Sequence, residues 1–250
     1  MTMVRGIRVL AAPCCGAQYA FPNYVSMNFS AFEYWTDGWR ELSPMPNDEG
    51  LRLCRCGQFV LLKNMVKVDA GESSDLPYMD RVSTAQLPDC IEKAADEEME
   101  IAARLEYWRH LNHEYRERYR EHRDAEEAAI KAGWMAANPD NRSWWAKLRR
   151  VKPPSYRRPV NSPFTYPPFE PTSEQLENMA RLTEVLTYRG DASGGGKYIL
   201  QLAELYREQG LFEEAESMIR KVADDAVGVT TQLIARLIED KDTAPMRYRM

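Results

Sequence analysis

The chain has 250 residues, 44% of them hydrophobic, and a formal net charge of −5. That length holds one or two domains with a sizeable core and excludes a wholly disordered polymer. The mild acidity excludes a general nucleic-acid coat, and no apolar run nears the roughly 18 residues that a membrane span requires.

The opening, MTMVRGIRVLAAPCC, carries an arginine inside a short apolar run and a proline just before the cysteines. It reads as a first β-strand and not as a secretory leader, which points to a cytoplasmic protein without a membrane partner. Residues 1–70 continue as β-structure. GIRVLAA and QFVLLKNMVKV are rich in β-branched and large apolar residues, and Asp37-Gly38 between aromatic stretches signals a hairpin. Aromatics from Tyr19 to Trp39 are dense enough for a small core.

Residues 71–88 read as a linker. From about Asp89 to Ala132 a helical pattern follows, with Ile91, Ala95, Met99, Ala102, Leu105, Trp108, Leu111, Tyr115, Tyr119 and His122 recurring at spacings of three and four. Such a mixed stripe suits packing on another domain or pairing with a second copy of the chain, so a homo-oligomer through this helix is open. The segment 139–171 holds more than half of the fifteen prolines and reads as an extended connector whose aromatics lie on a neighbouring surface. From Thr172 four short-linked helices are expected. Thr172 or Ser173 caps the first of them and Gly190 ends it.

Five cysteines are present, and four of them sit in two tight clusters, PCCGAQY (13–19) and LCRCGQF (53–59). Neighbours such as Cys14 and Cys15 make poor disulfide partners, and a secreted scaffold would space its cysteines more evenly. Two thiolate pairs at tight turns give zinc a tetrahedral sulfur shell, and a glycine after each pair lets the chain turn so that backbone N–H groups face the sulfurs. Cys15-Gly16 and Cys56-Gly57 have that form. These stretches resemble the zinc ribbon, a small metal-stapled β-domain with two such knuckles, although the paired cysteines here are separated by none and by one residue where that family uses two. The resemblance implies a structural zinc ion on Cys14, Cys15, Cys54 and Cys56. The fourth ligand stays open between Cys14, Cys90 and a histidine, and reduced structural cysteines or a redox pair are the competing readings.

In KYILQLAELYREQGLFEEAESMIRKV, residues Ala203, Tyr206, Gly210, Phe212 and Ala215 fall at separations of 3, 4, 2 and 3. This resembles one tetratricopeptide repeat, a helical hairpin with Gly210 at its turn. The resemblance implies that the inner face of the first helix, with Lys197, Leu200, Glu204 and Arg207, receives a partner peptide. Plain helix packing is the alternative.

Between Asn141 and Phe169 there are seven Lys/Arg and no Asp/Glu. Arg142, Lys147, Arg149, Arg150, Lys152, Arg157 and Arg158 surround Trp144, Trp145 and Tyr156, a mixture that suits an acidic partner surface or, as a second choice, phosphates and stacked bases. Other chemical signals fail. DASGGGK lacks the first glycine and the Ser/Thr of a phosphate-binding loop. His110, His113 and His122 have no partner histidine and read as packing or surface residues.

The expected whole is α+β: a small zinc-stapled β-domain (1–70), a linker and long amphipathic helix (71–138), a basic Pro-rich connector (139–171) and a C-terminal helical, tetratricopeptide-like domain (172–250). The function this implies is a non-catalytic cytoplasmic adaptor that binds another protein, in the manner of an accessory subunit of a bacterial complex. The alternative is a nucleic-acid-binding protein using the ribbon and the 142–158 segment.

Overall fold

In the computed structural model, residues 3–26, 31–42, 50–69, 75–157, 165–193, 198–222 and 228–248 are described. Three antiparallel hairpins organise the N-terminal part: β1 (Met3–Ala11) with β2 (Gln18–Ser26), β3 (Ala31–Trp35) with β4 (Arg40–Leu42), and β5 (Leu51–Leu53) with β6 (Phe59–Leu61). The Asp37-Gly38 signal holds. Gly38 takes a left-handed φ of 80°, its N–H bonds the Trp35 carbonyl at 3.0 Å, and the Asp37 carboxylate accepts from the Trp39 N–H at 2.9 Å.

Each hairpin gains a third strand. β7 (Val66–Val68) adds to β1, and β8 (Asp80–Arg81) adds to β5. QFVLLKNMVKV holds two strands, because a 3-10 turn at Leu62–Asn64 buries Leu62 and Met65 and sends β6 and β7 into different sheets. The described part of the expected linker carries structure: besides β8, Ala20 donates to the Pro77 carbonyl at 3.0 Å and Met79 joins the core under the first hairpin.

The helical stretch expected from Asp89 to Ala132 is broken twice. α1 (Leu87–Glu92) ends at Lys93, and α2 (Glu97–Leu111) starts afresh because the Asp96 carboxylate accepts the Met99 N–H at 2.8 Å. The second break falls at Asn112. The long helix is α3 (His113–Ala137), followed by the short α4 (Trp144–Leu148). α5 (Ser173–Ser193) is capped by Thr172, whose hydroxyl accepts from the Gln175 N–H while the Gln175 side chain accepts from Thr172. It runs past Gly190, which therefore does not end it. α6 (Ile199–Glu208) and α7 (Phe212–Ile219) form a helical hairpin around Gly210, with φ of 77°, and α8 (Val229–Glu239) precedes β9 (Arg247–Tyr248).

The chain divides into two compact units, Met1–Asn112 with Glu170–Met250, and His113–Phe169. β9 pairs with β3, Tyr34 opposite Tyr248, so the last strand belongs to an N-terminal sheet. In the first unit, Leu51, Phe59 and Leu61 pack on Leu87, Cys90, Met99 and Ala103, and Trp108 of α2 packs among Leu182, Leu186, Leu202 and Leu205. Ala203, Ala215, Ile234 and Ile238 close α6, α7 and α8 on one another. In the second unit the Pro-rich connector lies along α3: Tyr115 meets Phe169 edge-on at 5.1 Å, Tyr119 meets Tyr166 at 6.3 Å, and Trp134 meets Tyr156 at 5.8 Å.

Candidate metal centre

Two hairpin tips build the centre. In the first, Ala12 and Ala17 close the loop through an Ala12 N–H to Ala17 carbonyl bond of 2.8 Å, and the Gly16 N–H returns to the Ala12 carbonyl at 2.8 Å. In the second, the Cys54 N–H bonds the Gln58 carbonyl and the Gly57 N–H bonds the Cys54 carbonyl, both at 2.8 Å. Gly16 and Gly57 have φ of 70° and 84°, and a Cβ at either would meet no atom within 4 Å. Glycine is thus required by backbone conformation and not by crowding.

The turns bring four sulfurs together. Cys14 Sγ lies 3.5 Å from Cys56 Sγ, Cys15 Sγ lies 3.5 Å from Cys54 Sγ, and all four fall within 4.8 Å of one another. A tetrahedral ion with metal–sulfur bonds of about 2.3 Å separates its sulfurs by about 3.8 Å. The cluster encloses that spacing, so the donor set fits a four-thiolate metal site. Side chains of adjacent residues in a strand diverge, but the turn after Ala12 removes that constraint, so Cys14 serves one partner and Cys15 the other. Cys14, and neither Cys90 nor a histidine, is the fourth member of the sulfur cluster. Cys90 is buried among Leu51, Leu87 and Met99, where burial pushes its thiol up to about 11, and no histidine belongs to the cluster.

The four thiols are not equivalent. Burial pushes Cys54 up, but the Cys56 N–H, the Tyr19 hydroxyl and the Cys15 thiol outweigh it and hold Cys54 down at about 6. Burial and hydrogen bonding to the other cysteines push Cys14 up to about 12. For Cys15 the Ala17 N–H pulls downward, yet bonding to Cys54 and burial leave it raised. Tyr19 Oη sits 3.2 Å from Cys54 Sγ and accepts the Arg55 N–H at 2.8 Å. Sequence reasoning counted Tyr19 only as a core aromatic. Its position four residues after Cys15 gave no sign of this contact.

The other predicted sites fare differently. Lys197 lies outside the described residues. Leu200 is half-buried. Glu204 and Arg207 do not line an open face. They are fully enclosed, with Arg207 Nε and Nη2 donating to Glu204 at 2.8 and 2.6 Å and Arg207 Nη1 to the Asp242 carbonyl. The reason is that α6 packs between α5 on one side and α7 with α8 on the other, so its charged pair must satisfy itself inside. Beside this pair, Glu208 Oε2 accepts from Trp108 Nε1 at 2.8 Å and from Asn112 Nδ2 at 3.1 Å, and Asn112 also donates to Asp37 at 3.2 Å. Of the basic segment, Arg142 is held by Asp140 through two bonds of 2.7 Å. Lys147, Arg149, Arg150, Lys152 and Arg157 are exposed, and Arg158 lies outside the described residues.

No protein-family model, no curated protein and no solved structure matches the chain. The chemistry of the site therefore rests on its geometry. Four thiolates would saturate a tetrahedral ion and leave no position on it for a reacting water.

Proposed function

We propose that this protein is a non-catalytic adaptor, a cytoplasmic accessory subunit of a bacterial assembly. Its β-structured part is closed by a structural zinc ion on Cys14, Cys15, Cys54 and Cys56. Its helical hairpin, tetratricopeptide-like in the spacing of Ala203, Tyr206, Gly210, Phe212 and Ala215, belongs to the part that engages another protein. The observation that carries the reading is the convergence of four sulfurs at the tips of two unrelated hairpins. Both tips turn through a left-handed glycine, which is how a zinc ribbon presents its ligands. An all-thiolate tetrahedral shell suits zinc, and a cluster of free thiols suits a reducing compartment.

The test is metal content together with partner binding. Protein purified under reducing conditions is expected to carry about one zinc per chain, and Cys56→Ser to lose the ion and the β-structure around it. Wild-type protein with no zinc overturns the metal reading. For the adaptor reading, a partner recovered from host cells should rebind the purified chain with defined stoichiometry and release it when Leu200 is replaced by Glu. A substrate turned over by the purified protein overturns that reading.

A further inference from the structure

The exposed apolar residues are not spread evenly. Trp144, Trp145, Leu148 and Val151 are 66%, 62%, 60% and 51% exposed, four large apolar side chains within eight residues. At 100° per residue, Trp144, Leu148 and Trp145 of α4 fill an arc of about 100° on one side of the helix. Lys147 and Arg149 fall on the two edges of that arc. Arg150 takes a left-handed φ of 54° and ends the helix, and Val151 and Lys152, both exposed, follow directly in the chain. No acidic residue occurs from Asn141 to Phe169, and Asp140, just before this stretch, pairs with Arg142.

The mixture discriminates between partners. A stacking platform for bases requires open aromatic faces. Here one indole packs its edge on the face of the other, with centroids 4.5 Å apart at 71°, so the two are not parallel platforms, and Tyr156, the third aromatic of the segment, is turned onto Trp134. Leu148 and Val151 offer no stacking at all. Indoles beside aliphatic side chains, rimmed by cations, instead match the boundary between lipid headgroups and acyl chains. Trp concentrates there, and Lys and Arg are attracted to anionic headgroups. No helix of the described residues is long and apolar enough to cross a membrane, so the association this predicts lies in the plane of the interface.

We propose that residues 144–152 bind the surface of an anionic phospholipid bilayer. Trp144, Trp145 and Leu148 enter the headgroup boundary while Lys147, Arg149, Arg150 and Lys152 lie on the phosphates. This departs from the sequence-based expectation of no membrane partner and is independent of the zinc and adaptor readings. One short apolar face gives reversible attachment, strengthened by each cation and weakened by salt.

The test uses the full chain and vesicles of phosphatidylcholine with or without about 30 mol% phosphatidylserine, followed by flotation. The protein is expected to float with the anionic vesicles, at least about tenfold less with neutral ones, and to be released near 0.5 M salt (an approximate figure). Trp144→Ala with Trp145→Ala, and separately Arg149→Glu with Arg150→Glu, should each reduce flotation by about tenfold or more, since each cation alone contributes about fivefold. All four side chains are exposed, so both variants should keep the wild-type melting temperature. Absence of flotation, equal flotation with neutral vesicles, or variants that float like the wild type overturns the proposal. So does a single-stranded oligonucleotide that binds the same residues and is not displaced by anionic vesicles.

Discussion

At the scale of single residues, Tyr19 has the clearest consequence. One hydroxyl sits 3.2 Å from Cys54 Sγ and accepts the Arg55 N–H, so it acts on both the charge of Cys54 and the turn that carries it. Outer-shell groups of this kind change metal affinity by about 10- to 100-fold. Tyr19→Phe keeps the buried ring and removes only the hydroxyl, and a loss in that range is expected in competition with a chelator. The thiols also predict a pH dependence. Cys14 near 12 and Cys15 above its ordinary value are both protonated at neutral pH, whereas Cys54 near 6 is already ionised. A metal ion must therefore displace at least the two protons of Cys14 and Cys15. Protons compete with the ion, so affinity falls as pH falls, by about 100-fold per unit for two protons. Chelator competition at two pH values near neutrality reads this slope, and a flat profile contradicts it.

Among the elements, α6 carries the largest electrostatic load. Glu204, Arg207 and Glu208 are all fully buried on it. Burial, and then the neighbouring carboxylates of Glu204 and Asp37, raise Glu208 well above its ordinary 4.5 despite the opposing pull of Arg207. The folded state thus keeps a proton that the unfolded chain releases. Its stabilising effect is complete below about 4.5 and is lost as pH rises toward the folded value, at up to about 1.4 kcal/mol per unit. Glu208→Gln stays neutral throughout and should flatten this decline, so that the variant is at least as stable as the wild type at alkaline pH in urea unfolding. Glu208→Ala should cost about 1–3 kcal/mol, because Trp108 Nε1 and Asn112 Nδ2 lose their acceptor. The same network accounts for the break between α2 and α3. Asn112 is pinned by Asp37, Glu208 and Gln175, which uses its side chain as a hub at a helix end.

Across the whole molecule, the C-terminal strand closes the first unit. The Thr36 N–H donates to the Met246 carbonyl at 3.0 Å, the Met246 N–H returns to Thr36 Oγ1 at 2.9 Å, and Thr230 Oγ1 donates to the Tyr248 hydroxyl at 2.8 Å. The Tyr34 and Tyr248 rings lie 5.7 Å apart. Truncation after Pro245 removes all of these. At about 1 kcal/mol per hydrogen bond and about 2–4 °C per kcal/mol, a fall of about 5–10 °C in melting temperature is expected by circular dichroism. An unchanged melting temperature means that β9 is an ornament of the fold and not its closure.

The features legible in the sequence were those set by a few neighbouring residues. Two Cys-Gly pairs marked two turns that need left-handed backbone, Asp37-Gly38 marked a hairpin, and the period of the C-terminal helices placed their starts within a few residues. A tight turn or a helical stripe is a local solution to local sterics, so the residues that cause it stand side by side in the chain. Tertiary structure decided the rest. Cys14 and not Cys90 completes the cluster because two hairpin tips 39 residues apart meet there, while α1 carries Cys90 into another core. Glu204 and Arg207 look like a polar helix face until α5, α7 and α8 enclose α6. β9 has two residues and no strand signal of its own, and it exists only because β3, far earlier in the chain, offers an unpaired edge. Pairings of that kind draw their free energy from partners brought together by the fold, and no short window of sequence contains both sides.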